Sequence, residues 1–210
     1  MRNQSTWATR GGASFAFFAL IGLVFVSSVA WLSAADKAAT AKPGSAVSEF
    51  PDDYFFYSSS NETQQKLNEL VGKKMPELSV SDWINGEIKP EDMKGKVVVI
   101  DLWATWCGPC VAAIPHNNEL MSKYKDRGLL VVGVCTSRSG QEKLGDSVKE
   151  HKIGYPVCKD PDLKTEKAYQ ISFYPTYVAV DRNGNIRAAG LRPDKVEEVV
   201  KKLLDEKAAS

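Results

Sequence analysis

The chain has 210 residues, of which 43% are apolar and 25% charged, with 15 Gly, 10 Pro and four Cys. These values exclude whole-chain disorder, collagen-like repeats and a disulfide-dense mini-scaffold. Lys and Arg number 27 against 26 Asp and Glu, a balance that calls for no polyanionic partner and sets nucleic acid aside.

The charge is unevenly spread, because residues 11–35 carry none. Arg2 and Arg10 precede an unbroken apolar run from Phe15 to Val26, and Ser33-Ala34-Ala35 supplies small residues for a cleavage position. Residues 1–35 therefore read as a signal peptide or a retained signal anchor, since 25 uncharged residues can span a bilayer as a helix. Either reading places the rest of the chain outside the cytoplasm, periplasmic or membrane-anchored and facing the periplasm. No Cys follows the run to carry a lipid. Without residues 1–35 the chain has 25 basic and 26 acidic residues.

Residues 36–70 read as a linker with a short helix from Glu62 to Leu70. Phe50 and the Tyr54-Phe55-Phe56-Tyr57 cluster are unusual there. They suggest a strap packed on a domain surface, with a membrane-interface contact as the alternative. Residues 71–207 form the domain. Asn85-Gly86, between Leu78–Trp83 and Glu87–Lys89, predicts an N-terminal β-hairpin. Lys96–Leu102 is a continuous β-branched run, which predicts a buried strand, and Gly128–Cys135 reads as a second buried strand. Cys110–Asp126 reads as a helix kinked at Pro115. A helix over Gln141–His151, a strand over Tyr155–Lys159 and a helix over Asp162–Tyr169 follow. Asn183-Gly184 predicts a second hairpin between Thr176–Asp181 and Ile186–Gly190. Pro193–Lys207 reads as a closing helix with Val196, Val199, Val200, Leu203 and Leu204 on one face. Strands alternating with helices predict an α/β fold with a central mixed sheet flanked by helices.

The chemistry centres on Trp103-Ala-Thr-Trp-Cys107-Gly-Pro-Cys110. A C-x-x-C pair between a buried strand and a helix puts Cys107 at the helix N-terminus, where unpaired N–H groups and the helix dipole favour a thiolate. Cys107 is then the nucleophile, and Cys110, one turn deeper, resolves the mixed disulfide. Gly108 permits the tight turn into the helix, and Pro109 suits its first turn. A zinc site needs two more ligands at matched spacing, and Cys135 and Cys158 are single residues on separate strands. Haem attachment needs His at position 111, which is Val. A purely structural bridge over two residues stabilises little.

Over about Val71 to Leu204 the sequence resembles the TlpA/ResA-type thioredoxin-like proteins. The resemblance rests on Gly72-Lys-Lys-Met-Pro76, Gly95-Lys-Val-Val-Val-Ile-Asp101, the Trp103–Cys110 motif, Tyr174-Pro175-Thr176 and Asp181-Arg-Asn-Gly184. It implies a thioredoxin-like fold and a redox-active Cys107–Cys110 disulfide. It implies reduction or exchange of protein disulfides outside the cytoplasm, with apocytochrome c as a frequent client. A membrane thiol relay of the CcdA/DsbD type would supply electrons, and neither cofactor nor metal is needed. Pro175 matches the cis-proline that faces the Cys pair, with the Tyr174 backbone offered to a bound peptide. Asp101 matches the buried acid that accepts the Cys110 proton, its pKa raised by burial. Trp106 flanks and shields the nucleophile.

Two departures matter. Many ResA-type proteins carry Glu three residues after the second Cys, whereas position 113 is Ala, so Asp101 takes over the proton chemistry. The Gly108-Pro109 dipeptide matches reducing thioredoxins, which predicts a potential nearer roughly −270 mV than −120 mV. Cys135 and Cys158 fall on strands that neighbour each other in the family, leaving open a second bridge or two buried thiols. The rival functions are a peroxiredoxin-like peroxide reductase and a non-catalytic binding module. The first lacks a Pro at position 100, and Thr105 stands two residues before Cys107.

Overall fold

Seven-residue runs with almost no polar member cannot present a face to water, so they settle where a sheet is covered on both sides. In the computed structural model, which describes residues 48–206, Val97–Trp103 and Leu129–Cys135 are strands buried at every position. The elements in chain order are α1 (Glu62–Asn68), β1 (Ser81–Ile84), β2 (Val97–Trp103), α2 (Gly108–Tyr124), β3 (Leu129–Cys135), α3 (Leu144–Glu150), β4 (Val157–Lys159), α4 (Lys164–Ala168), β5 (Thr176–Val180), β6 (Ile186–Leu191) and α5 (Val196–Asp205). The strand order is β1-β4-β3-β2-β5-β6. β2, β3 and β4 run parallel, while β1, β5 and β6 pair antiparallel. The sheet is therefore mixed, as the alternation of elements predicts.

The period-two alternation of β2 divides the core. Val97, Val99 and Trp103 face one layer, with Ile114 and Leu120 of α2, Leu144 of α3 and Val199 and Leu203 of α5. Val98, Ile100 and Leu102 face the other, with Leu67 of α1 and Tyr169 beyond α4. The stripe expected on the closing helix is buried as a set, Val196, Val199, Val200, Leu203 and Leu204. The second hairpin forms: β5 and β6 pair across a turn in which Asp181 Oδ1 accepts from the N–H groups of Asn183 and Asn185 at 2.9 Å. α2 continues through Pro115 as one helix.

The first hairpin does not form. Asn85 and Gly86 adopt the positive φ angles of a hairpin turn, 66° and 110°. β1 nevertheless pairs with β4, Ser81 opposite Lys159 and Ile84 opposite Val157, and residues 87–89 make no strand. Asn85 Nδ2 donates to the carbonyls of Ile153 and Tyr155 at 2.7 and 3.1 Å. The turn is thereby fixed against the β4 side of the sheet, and Pro90 then opens a 3₁₀ turn.

A Cys135–Cys158 bridge is also ruled out. Cys158 stands opposite Val134, and Cys135 opposite Lys159. Successive residues of a strand point to opposite faces, so the two sulfurs lie on opposite sides of the sheet, one in each core layer. Both are free and buried.

Residues 50–57 cover the β6 edge. Phe50 and Phe55 are buried, Phe55 bridges Leu191, and the Arg192 N–H donates to Tyr54 O at 2.9 Å. Asn61 caps α1, its Oδ1 accepting from the Thr63 N–H at 2.9 Å. The export segment of residues 1–35 lies outside the described residues. Among the described residues no helix is long and apolar enough to cross a membrane.

Candidate active site

β2 ends at Trp103, and four residues later Cys107 becomes the N-cap of α2. The first N–H groups of a helix have no intrahelical acceptor. Here the Cys110 N–H donates to Cys107 Sγ at 3.3 Å. Cys107 and Cys110 form a disulfide with Cα atoms 5.3 Å apart. Cys107 is 5% exposed and Cys110 1%, so attack from outside reaches Cys107 first. Trp106, Gly108 and Pro109 form the exposed rim. Gly108 has no positive φ, and a Cβ built there meets nothing within 4 Å, so the turn into the helix does not itself require Gly.

Leu102 stands opposite Thr176, which brings the start of β5 to the same end of the sheet as the disulfide. The bond before it, Tyr174–Pro175, is cis, and Pro175 is buried. The Trp106 and Tyr174 rings meet edge to face at 5.9 Å. Trp106 is fixed from its other side, its Nε1–H donating to Ser137 Oγ at 2.9 Å with Ser139 O at 3.1 Å. Tyr174 Oη lies 2.5 Å from Glu166 Oε2 and 3.1 Å from Thr136 O. Burial and that carboxylate push its ionisation upward. The loop after β3 thus clamps the aromatic rim, a contribution that sequence reasoning missed.

Asp101 lies in the middle of β2, between Gly133 of β3 and Tyr177 of β5. Three carboxylates are buried among the described residues, Asp101, Asp160 and Asp181. Asp160 accepts from Thr136 Oγ1 and from the N–H groups of Thr165 and Glu166. Asp181 is occupied by its turn and by Arg187. Asp101 differs, because Oδ2 accepts from Asn117 Nδ2 at 2.9 Å while the buried Oδ1 has no partner. Burial pushes its carboxyl up to about 7, against the smaller opposing effect of the bond from Asn117 and of the nearby Tyr177 hydroxyl.

Asn117 also lies 3.2 Å from Tyr155 Oη and 3.0 Å from Tyr177 Oη. Tyr155 fits because residue 133 is Gly: a Cβ there would come within 2.8 Å of Val157 Cγ1 and 3.1 Å of the Tyr155 ring. Asn117, Tyr155 and Tyr177 are the residues that sequence reasoning missed. Asn117 alone left a signal, two helical turns after Cys110 on the same face of α2. Ala113, the position at which the resemblance makes Glu the expectation, is buried. Cys135 pairs with Trp103 near this end of the sheet, and burial pushes its thiol up to about 11. A cavity of about 720 Å³, lined by Met75, Leu78, Trp83, Ile88 and Met93, lies apart from all of these residues.

The pattern of the Redoxin family matches residues 70–204. The chain is 31% identical over 116 residues to the thiol-disulfide oxidoreductase ResA of Bacillus cereus, covering 55% of this chain and 66% of that one, just under two thirds. It is 32% identical over 151 residues to the thiol-disulfide oxidoreductase YkuV of Bacillus subtilis, covering 97% of that protein. A Chlorobium tepidum structure assigned as a thiol:disulfide interchange protein DsbE superposes with a TM-score of 0.58 at 32% identity, over 64% of this chain and 97% of that one. With the cysteine pair at a helix N-cap and a cis-proline at the same end of the sheet, these likenesses show that the chain belongs to the redoxin family, among its ResA/TlpA-type thiol-disulfide oxidoreductases.

Proposed function

We propose that the protein reduces or exchanges disulfides of protein substrates outside the cytoplasm through Cys107 and Cys110. The observation that carries this reading is Cys107 Sγ at the N-cap of α2, accepting from the Cys110 N–H, with Cys110 buried beneath it. In the dithiol form those N–H groups stabilise the Cys107 thiolate. The thiolate attacks one sulfur of the substrate disulfide, forming a mixed disulfide and releasing the other sulfur as a thiolate that takes up a proton. Cys110 gives its proton to Asp101 and attacks Cys107 Sγ. The Cys107–Cys110 bond forms, the bond from Cys107 to the substrate breaks, and the second substrate sulfur leaves as a thiolate that takes up a proton. Two electrons have passed to the substrate. A donor dithiol returns them, and a membrane relay of the CcdA/DsbD type fits that role.

The uncharged run at residues 11–35 supports export, and apocytochrome c is the client that the sequence resemblance implies. The Gly108-Pro109 dipeptide supports a reducing couple. A peroxide-reducing centre has less support, since Ile100 stands where that chemistry uses Pro.

The test is insulin reduction by dithiothreitol. The protein accelerates it, Cys107→Ser abolishes the acceleration, and Cys110→Ser accumulates the mixed disulfide. Acceleration that survives Cys107→Ser refutes the reading.

A further inference from the structure

Among the described residues three large hydrophobic side chains are exposed, Phe56 at 41%, Tyr57 at 39% and Trp106 at 60%. Single exposed apolar residues are ordinary. These three converge on two neighbouring residues. Trp106 meets Tyr174, while Phe56 and Tyr57 meet Phe173 edge to face at 5.5 and 5.1 Å. Phe173 and Tyr174 lead directly into Pro175, at the end of the sheet that carries the disulfide.

The two strap rings are not exposed for want of an anchor. Phe50 and Phe55 already bury the strap. The Phe56 N–H donates to Gly190 O at 3.1 Å, fixing that residue at the end of β6. The next residue, Leu191, stands opposite Tyr177, two positions after Pro175. The strap therefore holds two rings in place at the end of the sheet that carries the disulfide. Aromatic rings fixed in this way supply contact area at small entropic cost.

We propose that Phe56 and Tyr57 form a subsite of the substrate surface that takes an apolar side chain of a polypeptide next to its reacting cysteine. The inference rests on the disulfide-exchange reading above. It extends the contact surface beyond Trp106, Tyr174 and Pro175 to a segment outside the sheet and its helices. A bilayer surface is the competing occupant, since aromatic side chains favour membrane interfaces. Two observations favour the polypeptide. Glu49, Asp52, Asp53 and Glu62 surround the rings in sequence, with no Lys or Arg from 48 to 65, which disfavours anionic headgroups. The rings also pack on Phe173, two residues before the cis-proline and at the end of the sheet that carries the redox pair, which a polypeptide substrate must reach.

The test uses the full chain in its dithiol form and two cyclic disulfide peptides that differ only in Phe or Ser beside one Cys. The wild type prefers the Phe peptide about tenfold in kcat/KM. Phe56→Ala/Tyr57→Ala reduces that preference to about twofold or less, while Phe56→Leu/Tyr57→Phe keeps most of it. An equal preference in the alanine variant and the wild type overturns the subsite while leaving exchange intact. Failure of the wild type to reduce either peptide overturns the exchange reading and the subsite with it. Phosphatidylcholine–phosphatidylglycerol vesicles that bind the wild type and not the alanine variant, with the peptide preference unchanged, assign the rings to a membrane instead.

Discussion

Replacing Asp101 by Asn keeps the shape of the side chain and removes its charge. Burial raises the carboxyl from its ordinary value near 4 to about 7. Three pKa units correspond to about 4 kcal/mol. The folded protein therefore binds this proton more tightly than the unfolded chain between pH 4 and 7. Stability from this group is then greatest below pH 4 and falls as pH rises to 7, where it levels off. Urea unfolding of the oxidised protein and of Asp101→Asn at pH 4 and pH 8 measures the effect. Other carboxylates titrate alike in both proteins, so the difference between them isolates Asp101. Asp101→Asn should gain about 3 to 4 kcal/mol on the wild type between the two pH values. Its dithiol form should also release mixed disulfides more slowly at pH 7, having lost the acceptor for the Cys110 proton. A stability difference that is the same at pH 4 and pH 8 refutes the placement of a titrating carboxyl at this position.

Asn117→Ala removes the donor to Asp101 Oδ2 and the partner of two tyrosine hydroxyls. It should cost about 1–3 kcal/mol in urea unfolding and move the Asp101 transition to higher pH, since that hydrogen bond favours the ionised form. Gly133→Ala puts a methyl within 2.8 Å of Val157 Cγ1 and should destabilise by about 1–3 kcal/mol through overpacking. The same measurement checks it, and near-wild-type stability would show that Tyr155 can move aside.

Local patterns were legible wherever one segment set its own structure. The apolar runs of β2 and β3, the stripe on α5 and the Asn183-Gly184 hairpin could be read directly. So could the placement of Cys107 and Cys110, because a strand, a motif and a helix follow one another without a gap. Asn85-Gly86 shows where this stops. The dipeptide dictated its own φ angles, but the pairing of β1 was decided by β4, some 70 residues away, and by carbonyls that capture the Asn85 side chain. The shell around Asp101 was out of reach for the same reason. Asn117, Tyr155 and Tyr177 come from α2, the segment before β4, and β5, and only the packing of helix on sheet brings them to one carboxyl. Cys135 and Cys158 illustrate a finer dependence. Neighbouring strands were foreseen, but a one-residue difference in parity separates the sulfurs, and parity is a property of register.

That separation has a consequence for how a captured substrate is let go. Burial keeps Cys135 and Cys158 protonated at neutral pH, and neither sulfur is exposed. A thiol in that state is a poor nucleophile. Once a substrate is joined to Cys107, no second intramolecular thiol competes with Cys110, and no side disulfide can divert the electrons. In the proposed exchange, Cys110 is then the one internal thiol that can end the visit, and its attack passes one electron pair to the partner.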